Sequence, residues 1–448
     1  MNTTIEYIRD YFGNLSGGDF KRLVNEIPVQ DLAEIWDDLS REEAVKIFLQ
    51  LTMDRKIEML NALPFNEQEE IIEVLSGENL KLLFAELEPD DIVDLMQRVS
   101  PEIRRAVWEN LSEESRRETL FLLRFDEDDA AGLMTPRYMA VRSGVTVAQT
   151  LNFIRKGSAK VETVYYVYVL DQLKRLIGVV SLRDVLSTAD DEIIDTIVER
   201  RVVTVREQTD QEEVAKILED MDLLALPVVD NYNRLLGIIT VDDVIDVIRE
   251  EQTEDMYKMG AMDGRIDRYL DTGILGMVKK RIPWLIILLI LGTVTTNVVH
   301  RYESLVLGAA FLFIFMPVIT QTGGNSGNQS TTLMIRGLAR GEIVFAHLGR
   351  IFTREIIVGL LLGLGTGIII FLRSYFLPPD VTFLQAMTVG SALTFVVLFS
   401  NIIGALAPLV IHRLGFDPTV MSAPLMATVI DVAGLTIYFE TARLILNL

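Results

Sequence analysis

The C-terminal part of the chain carries long stretches without a charged residue, and these constrain the fold more than any other feature. They follow the basic triplet Lys279-Lys280-Arg281 and comprise residues 282–299, 305–335, 356–372, 383–410 and 420–438, the last interrupted once, by Asp431. About 20 apolar residues in a helix span the hydrocarbon core of a bilayer. We therefore predict an all-α transmembrane domain with five helices over residues 276–448, in contact with membrane lipid.

Asp431 is the first candidate for a functional residue. An ionisable side chain within a bilayer costs roughly 2.5 to 3.5 kcal/mol on insertion scales, so it is kept where it meets a partner, a proton or an ion. The alternative is that Asp431 is protonated, or hydrogen-bonded to a neighbouring helix as a structural group. We predict that it binds an ion.

Two of the apolar stretches contain residues that suit a water-filled path better than lipid. The second holds Pro317 and the polar run 322–330, and the fourth holds Asn401, Gly404 and Pro408. Small polar residues permit close helix packing, and proline frees backbone carbonyls, which is tolerated inside a bundle or beside water. Helices two, four and five are expected to surround a polar path.

Charge is distributed very unevenly along the chain. The whole chain has 42 basic and 64 acidic residues, a net charge of −22. Residues 281–448 hold 9 basic against 7 acidic residues, so residues 1–280 hold the other 33 against 57, a net of −24. Phosphate binding needs an excess of Lys and Arg, so we expect no nucleic acid as a partner and favour cations. The absence of cysteine excludes disulfides and thiolate ligands.

The basic residues also predict the orientation in the membrane. The N-terminal residues lack the basic start and apolar core of a signal peptide, which places the acidic half in the cytoplasm. With that orientation, 8 basic residues of the membrane half lie inside and 3 outside, as the positive-inside rule requires. We expect a multi-pass protein of the cell membrane (inner or plasma membrane) with a cytoplasmic N-terminus and an outside C-terminus.

Residues 1–130 repeat a short pattern: a cap-like residue, an acidic turn, then apolar residues at helical spacing. The units begin near residues 31, 40, 66, 77, 89, 100 and 112. Serine before carboxylates in a first turn is typical of a helix start. Units of roughly a dozen residues bury too little surface alone, so we predict an all-α, solenoid-like superhelical domain.

Residues 131–247 change to alternating strands and helices, and the pattern occurs twice. The run Leu176-Ile-Gly-Val-Val-Ser-Leu-Arg-Asp184 recurs as Leu235-Leu-Gly-Ile-Ile-Thr-Val-Asp-Asp243. A β-branched run ending in Ser or Thr before a helix-opening Asp indicates a strand-to-helix turn. The duplication resembles an α/β tandem CBS pair, with one domain over about 137–199 and the other over about 200–247. The resemblance implies a nucleotide site at Ser181, Asp184, Thr240 and Asp243, which could equally be plain helix caps.

The segment after the CBS pair, residues 248–275, is expected to form a long connecting helix to the membrane domain. It opens with Glu250, Glu251, Glu254 and Asp255 within six positions. These acids could serve solubility alone. Their place between a sensor-like module and the first membrane helix favours a lever or plug.

The chain as a whole resembles the MgtE-type magnesium channels and transporters over essentially its full length. The order of domains is the same. The motifs that carry the resemblance are Thr322-Gly-Gly-Asn-Ser-Gly-Asn-Gln-Ser330, Ile335-Arg-Gly-Leu-Ala339, Gly415-Phe-Asp-Pro418 and Ala427-Thr-Val-Ile-Asp-Val-Ala-Gly-Leu435. All of them in register with this domain order form a specific match.

The resemblance implies a homodimer with a pore on its axis, where Asp431 meets the ion, and Mg²⁺ as both transported and regulatory ion. The expected pore-lining residues are Asn325, Asn328, Pro408, Ala427 and Thr428. The expected regulatory ligands are Asp90, Asp94, Asp210, Glu212, Asp222, Asp243, Asp246, Glu251, Glu254 and Asp255.

The function predicted from the sequence is a Mg²⁺-selective channel or transporter rather than an enzyme. No Gly-x-x-x-x-Gly-Lys-Ser/Thr loop is present, so the electrochemical gradient is expected to drive uptake, and cytosolic Mg²⁺ to close the path. Absent Cys and scattered His disfavour zinc, copper and iron. The alternatives are a nucleotide-gated divalent cation transporter, with ATP bound at the CBS pair, and a membrane-anchored CBS signalling protein.

Overall fold

The computed structural model describes residues 17–75, 77–158, 161–262, 272–421 and 423–447. The chain divides into two compact units, Met1–Arg249 and Glu250–Leu448. Each unit has its own buried apolar residues. The first 16 residues of the predicted N-terminal domain lie outside the described part.

The first unit begins with short helices of similar length. These are α1 (Gly17–Glu26), α2 (Val29–Glu34), α3 (Arg41–Gln50), α4 (Met53–Ala62), α5 (Phe65–Val74), α6 (Gly77–Glu86), α7 (Pro89–Arg98), α8 (Pro101–Asn110) and α9 (Glu113–Leu122). From α3 onward a new ten-residue helix starts every twelve residues. The predicted repeat of short helices is confirmed. The sequence pattern missed α4, whose preceding Thr52 makes no side-chain capping bond.

Local caps and shared burial together define these helices. The Ser40 hydroxyl accepts the Glu43 N–H while the Glu43 carboxylate accepts the Ser40 N–H, a reciprocal capping box. Most of the contacts are between helices two apart in sequence, as in α2 with α4 and α6 with α8. Their shared core includes Leu32, Ile47 and Phe84, all buried. A ten-residue helix is marginal alone in water, so this packing supplies most of its stability.

The rest of the first unit contains two copies of one α/β arrangement. The first copy comprises β1 (Ala140–Arg142), α10 (Val147–Gly157), β2 (Tyr166–Leu170), β3 (Leu176–Ser181) and α11 (Leu182–Ser187). The second comprises β4 (Val205–Arg206), α12 (Gln211–Asp220), β5 (Ala225–Val229), β6 (Leu235–Thr240) and α13 (Val241–Met259). In each copy the first strand pairs parallel to the second, and the second pairs antiparallel to the third. The duplication predicted from the sequence is confirmed.

The repeated glycines of the two copies lie where another backbone segment crosses the last strand. A Cβ atom on Gly178 would lie 2.5 Å from the Glu199 carbonyl oxygen, and one on Gly237 would lie 2.6 Å from the Thr135 carbonyl oxygen. Both crossings are held by backbone hydrogen bonds next to the glycine. Any larger residue would therefore displace the crossing segment.

The N-terminal helices and the α/β copies share contacts within the first unit. Val93 of α7 and Leu122 of α9 belong to the same apolar cluster as Val214 and Ile239 of the second copy. Arg137 donates hydrogen bonds to the Glu118 carboxylate, at 2.9 Å, and to the carbonyl of residue 87. The start of α7 is therefore fixed against the α/β part.

Helix α13 crosses the boundary at residue 247 that the sequence suggested between the CBS pair and the connecting helix. It runs without interruption from Val241 to Met259. The connecting helix was predicted over residues 248–275, but a turn follows at Gly260, and Ala261 has φ +53°. Residues 263–271, which belong to the predicted connecting segment, lie outside the described residues.

The second unit continues with α-helices. These are α14 (Ile274–Arg301), α15 (Glu303–Gly308), α16 (Phe311–Ala339), α17 (Leu348–Phe376), α18 (Phe383–Arg413) and α19 (Ala423–Leu446). Within the described residues, three helical segments are long and apolar enough to cross a membrane: Ile274–Arg301, Phe345–Phe376 and Phe383–Arg413.

Helices α16 and α18 are continuous, with Pro317 inside α16 and Pro408 inside α18. Two details of the predicted membrane helices were wrong. The second apolar stretch is not one helix, because the chain leaves helical geometry at Ala309, between α15 and α16. Helix α17 begins before the third uncharged stretch and therefore includes Glu355.

Candidate cation-binding sites

Carboxylates from three separate segments converge in the first unit. Glu88 precedes α7, Asp90 lies in its first turn, Glu162 lies in the loop before β2, and Asp242 and Asp243 open α13. We call these five residues the Glu162 cluster. Carboxylate oxygens of Glu88, Asp90 and Glu162 lie within 4.8 Å of one another, as do those of Glu162, Asp242 and Asp243. Glu162 is common to both groups.

The Glu162 cluster is partly buried and poor in hydrogen-bond donors: Asp90 is buried, Glu88, Glu162 and Asp243 are half-buried, and Asp242 is exposed. One oxygen each of Glu88, Asp90 and Glu162 is buried without a hydrogen-bond partner. The Thr240 hydroxyl lies 2.7 Å from a Glu162 oxygen and 2.6 Å from an Asp243 oxygen, but its single proton serves one of them at a time. Among the described residues, no Lys or Arg forms an ion pair with any of the five carboxylates.

This environment raises the pKa of the acids. Burial, followed by the Glu162 carboxylate, raises the pKa of Glu88 to about 9. Burial and then Glu162 also raise the pKa of Asp243 to about 8, against the opposing hydrogen bond from Thr240. The pKa of Asp90 lies well above its ordinary value because the side chain is buried and Asp243 is near.

A bound cation would resolve the repulsion in the cluster. Buried carboxylates this close either take up protons or bind an opposite charge. Several carboxylate oxygens from separate segments, with a threonine hydroxyl, form a set of hard ligands that suits Mg²⁺ or Ca²⁺. The geometry therefore fits a divalent cation that links α7 to the start of α13.

In the second unit, Asp431 lies half-buried in the first half of α19. Ile430, directly before it, is fully buried against α16. A Cβ atom on Gly327 of α16 would lie 2.0 Å from the Ile430 side chain, and one on Gly323 would lie 3.2 Å from it. The glycines of the polar run therefore allow α16 to approach α19 beside Asp431.

Models of known protein families match most of the chain. The model for the MgtE intracellular N domain matches residues 27–128, and the CBS domain model matches residues 130–191 and 194–250. The model described as a divalent cation transporter, MgtE, matches residues 316–441. The magnesium transporter MgtE of Thermus thermophilus is 42% identical over 439 residues, which cover 97% of each chain. The chain belongs to the MgtE family.

Other relatives support the same membership. The magnesium transporter MgtE of Bacillus subtilis is 28% identical over 95% of this chain and 93% of its own length. The crystal structure of the cytosolic domain of the Mg²⁺ channel MgtE in complex with ATP is 38% identical, with a TM-score of 0.51, and covers 54% of this chain and 98% of its own. The MgtE family is one of divalent cation transporters, and this member has its CBS domains and membrane-length helices.

In this member of the MgtE family, the structure brings together Asp90 and Asp243 of the predicted regulatory ligands. Asp94 lies on an exposed face of α7, and exposed Asp246 pairs with Arg249 at 3.0 Å. Sequence reasoning missed Glu88, Glu162 and Asp242 as cluster members. The run Glu88-Pro-Asp-Asp and the pair Asp242-Asp243 were visible signals, but nothing local marked Glu162.

Other predicted regulatory ligands lie elsewhere in the first unit. Asp210 caps α12, where its carboxylate accepts the Glu212 N–H at 2.8 Å. Exposed Asp222 follows the other end of α12, in a turn with φ +51°. These residues do not join the Glu162 cluster. Their role as ligands stays a prediction.

The connecting-helix acids belong to the second unit. Glu254 pairs with Lys258 at 2.6 Å, and half-buried Glu251 lies one turn before Asp255. Burial and then the nearby Asp417 carboxylate raise the pKa of Asp255 to about 6. The structure thus places acids of α13 beside the loop that precedes α19.

The two predicted nucleotide positions differ in their surroundings. The Ser181 hydroxyl lies 2.6 Å from an Asp184 oxygen and accepts the Asp184 N–H, so it caps α11. Ser181 also lines an open cavity of about 550 Å³ with Tyr165 and Leu224. Thr240 is buried and faces Glu162. Ser181 therefore caps α11, and Thr240 belongs with the acid cluster; nucleotide binding at these positions stays a prediction.

The predicted pore residues have varied environments. Asn325 is exposed, Pro408 is buried, and Ala427 is half-buried near Gly324. The Thr428 hydroxyl donates to the Pro424 carbonyl at 2.9 Å and keeps its oxygen as an acceptor. One amide oxygen, that of Asn328, is buried without a partner. Their place along an ion path stays a prediction.

Proposed function

We propose that this chain carries Mg²⁺ across the cell membrane and that Mg²⁺ bound at the Glu162 cluster closes the path. The observation that carries the proposal is the partly buried carboxylate cluster without a basic partner among the described residues. Such a site is stable only when protonated or when it holds a cation. The relative of 42% identity, a magnesium transporter by name, supports Mg²⁺ as that cation.

Asp431 provides the ion site of the proposed path. One carboxylate per subunit, with carbonyl, hydroxyl and amide oxygens nearby, suits an ion that keeps most of its water, as Mg²⁺ does. The pore-lining set is Asn325, Asn328, Pro408, Ala427 and Thr428. An inside-negative potential of 100 mV is worth about 4.6 kcal/mol for an entering dication, so downhill flow needs no further energy source.

The Glu162 cluster and the connecting helix provide the proposed brake. Without Mg²⁺, the carboxylates at the start of α7 and α13 repel one another. With Mg²⁺, the two segments are held together, and a site that exists only in that compact state stabilises it by RT ln(1 + c/Kd), where c is the Mg²⁺ concentration. Further weak sites are proposed at Asp94, Asp210, Glu212, Asp222, Asp246, Glu251, Glu254 and Asp255.

The proposed sites lie within an architecture of five membrane helices, a connecting segment, a CBS pair and an N-terminal helical domain. Helices α14, α16, α17, α18 and α19 form five membrane spans over residues 276–448, and residues 248–275 form the connecting segment. Residues 1–130 form a solenoid-like domain, supported by packing between helices two apart, and residues 131–247 form the CBS pair. The N-terminus is cytoplasmic, the C-terminus lies outside, and two chains form a homodimer around Asp431.

A second candidate function is nucleotide sensing by the CBS pair. It is favoured by the cavity beside Ser181 and by the ATP complex of the related cytosolic domain. Tyr165, at 62% exposure, offers an aromatic face for an adenine ring. Titration of the purified chain with ATP, with and without Ser181→Ala, measures this binding. Unchanged ATP affinity in Ser181→Ala would show that ATP does not bind in this cavity.

The proposed function is tested by Mg²⁺ flux into proteoliposomes that contain the full chain. An indicator inside the vesicles reports entry, and Mg²⁺ at the face with the soluble half is set low or high. We expect flux that falls when Mg²⁺ at that face is high. A folded protein that passes no Mg²⁺ under either condition would contradict transport and favour membrane-anchored signalling. Flux that does not change with the Mg²⁺ concentration at that face would contradict closure of the path by Mg²⁺.

A further inference from the structure

A buried polar group outside the predicted pore connects three helices of the second unit. Glu355 of α17 is 8% exposed, Ser330 of α16 is 5% exposed, and Asn401 of α18 is 2% exposed. The Ser330 hydroxyl lies 3.1 Å from a Glu355 oxygen and 2.7 Å from the Asn401 amide oxygen. One hydroxyl thus joins a carboxylate to an amide where all three side chains are buried.

The group leaves donors unused next to a carboxylate. The Ser330 hydroxyl has one proton for two acceptors, while the Asn401 amide nitrogen is buried without a partner. A half-turn of the Asn401 amide would point its N–H at the Ser330 oxygen, so that Ser330 donates to Glu355. A directed chain of donors would then end on the acid. Among the described residues, Glu355 forms no ion pair with Lys or Arg.

The same helices are in close contact on both sides of this group. A Cβ atom on Gly359, one turn after Glu355, would lie 3.2 Å from the Asn401 side chain. The Thr331 hydroxyl donates to the Gly404 carbonyl at 3.0 Å, which holds α16 to α18 one residue beyond Ser330. Helix α16 therefore has little freedom to slide while the polar group is intact.

Helix α16 connects this polar group to the proposed ion site. Gly327 lies three residues before Ser330, and a Cβ atom there would overlap the Ile430 side chain. Ile430 is the residue before Asp431. Packed interiors respond to displacement by rearranging rather than by compressing, so a shift of α16 at Ser330 moves the surface against which Ile430 rests.

We propose that Glu355 is a positioning residue for the Asp431 ion site, because its carboxylate, acting through Ser330, holds α16 at the separation from α19 that the ion path requires. The inference rests on the proposed function. An acid that is retained inside a helix bundle at a cost is expected to serve function. Its role here is to place another group rather than to bind the transported ion.

The test uses the full chain in proteoliposomes with the variants Glu355→Ala, Glu355→Gln and Ser330→Ala. Ser374→Ala is the matched control, since Ser374 is equally buried but donates to a carbonyl of its own helix. Exposed Glu342→Ala controls for loss of an acid. Initial flux is measured against Mg²⁺ concentration to give apparent KM and maximal rate. The Mg²⁺-to-Ca²⁺ flux ratio and the melting temperature are measured on the same preparations.

We expect Glu355→Ala and Ser330→Ala to raise apparent KM, or to lower the Mg²⁺-to-Ca²⁺ ratio, by about threefold to tenfold, the range of coupling between linked sites. Glu355→Gln retains the shape of the side chain and one hydrogen-bond acceptor, so its apparent KM and ion ratio should lie between those of the alanine variants and wild type. The double variant Glu355→Ala/Ser330→Ala should change apparent KM and the Mg²⁺-to-Ca²⁺ ratio no more than Glu355→Ala alone, because both residues act in one chain of contacts. If Glu355→Ala does not fold, Ser330→Ala and Glu355→Gln decide the question.

Unchanged KM and ion ratio in folded variants, with only a lower melting temperature, would overturn the inference and leave Glu355 a structural residue. Wild-type protein without Mg²⁺ flux would contradict the proposed function, and this inference with it. Normal wild-type flux with unchanged Glu355 and Ser330 variants would contradict the positioning role alone.

Discussion

The Lys258 ammonium nitrogen lies 2.9 Å from a carboxylate oxygen of Asp417. Lys258 is in the last turn of α13, and Asp417 caps the short helical turn Pro418–Val420 just before α19. Burial acts to raise the pKa of Asp417, but hydrogen bonds from Thr419 and Lys258 lower it. The helix that carries the proposed regulatory acids is therefore tied to the loop before the helix that carries Asp431.

Breaking this ion pair should weaken closure by Mg²⁺. Both side chains are more than a third exposed, so the ion pair stabilises the folded protein by about 1 kcal/mol at most. We expect Lys258→Met to raise flux at high Mg²⁺ on the face with the soluble half by up to about fivefold. Arg22→Met is the control, since its ion pair with Glu26 lies within α1 and involves no proposed ligand. Identical Mg²⁺ inhibition in wild type and Lys258→Met would show that the tie does not bear on closure.

Removal of the Asp431 carboxylate should abolish transport without unfolding the protein. A half-buried acid in an apolar helix destabilises the fold unless it is solvated or partnered, so its loss should leave the melting temperature unchanged or higher. We expect Asp431→Ala to reduce Mg²⁺ flux at least about a hundredfold, as for loss of a buried charged contact. Exposed Asp380→Ala should retain wild-type flux. Wild-type flux through folded Asp431→Ala would remove Asp431 from the ion path.

Replacement of one acid in the Glu162 cluster should have opposite effects with and without Mg²⁺. Above about pH 8, where Asp243 is ionised, Asp243→Asn removes one of the repelling charges, so the Mg²⁺-free protein should melt about 2–4 °C higher, corresponding to about 1 kcal/mol. The same change removes a proposed ligand, so added Mg²⁺ should stabilise the variant less than wild type. Asp220→Asn, an exposed acid of α12, is the control. Full Mg²⁺ stabilisation of Asp243→Asn in calorimetry would argue that no ion is bound there.

The acid cluster also predicts how stability depends on pH. Burial raises the pKa of Glu88 to about 9, that of Asp243 to about 8 and that of Asp91 to about 6. The folded state therefore binds more protons than the unfolded state from about pH 4 to 9, and stability falls as pH rises through this range.

Mg²⁺ should weaken this dependence of stability on pH, because a cation replaces the protons at neutral pH. Calorimetry of the full chain in detergent measures both effects: without Mg²⁺ the melting temperature should fall from pH 5 to pH 8, and with Mg²⁺ it should fall less. Asp243→Asn should reduce the slope without Mg²⁺. A melting temperature that rises with pH in Mg²⁺-free buffer would contradict the buried, proton-binding state of the cluster.

Much of the architecture could be predicted from the sequence because the relevant signals are local. Caps such as Ser40 and the regular spacing of apolar residues indicated the short N-terminal helices, and the repeated glycines 178 and 237 revealed the duplication. The helix α4 and the break at Ala309 were missed, since neither follows from a strong cap or a charged residue. Only the structure shows that α16 and α18 continue through Pro317 and Pro408, because neighbouring helices decide whether a proline interrupts a helix.

The acidic half, the apolar helices and Asp431 follow from the order of residues, because composition and periodicity depend on nothing else. The packing of the folded chain brings Glu162 to Asp90 and Asp243, and Glu355 to Ser330. Each of these pairs joins residues from different elements, more than 20 positions apart. Their approach depends on how helices and strands pack, and no local pattern of residue types encodes that distance.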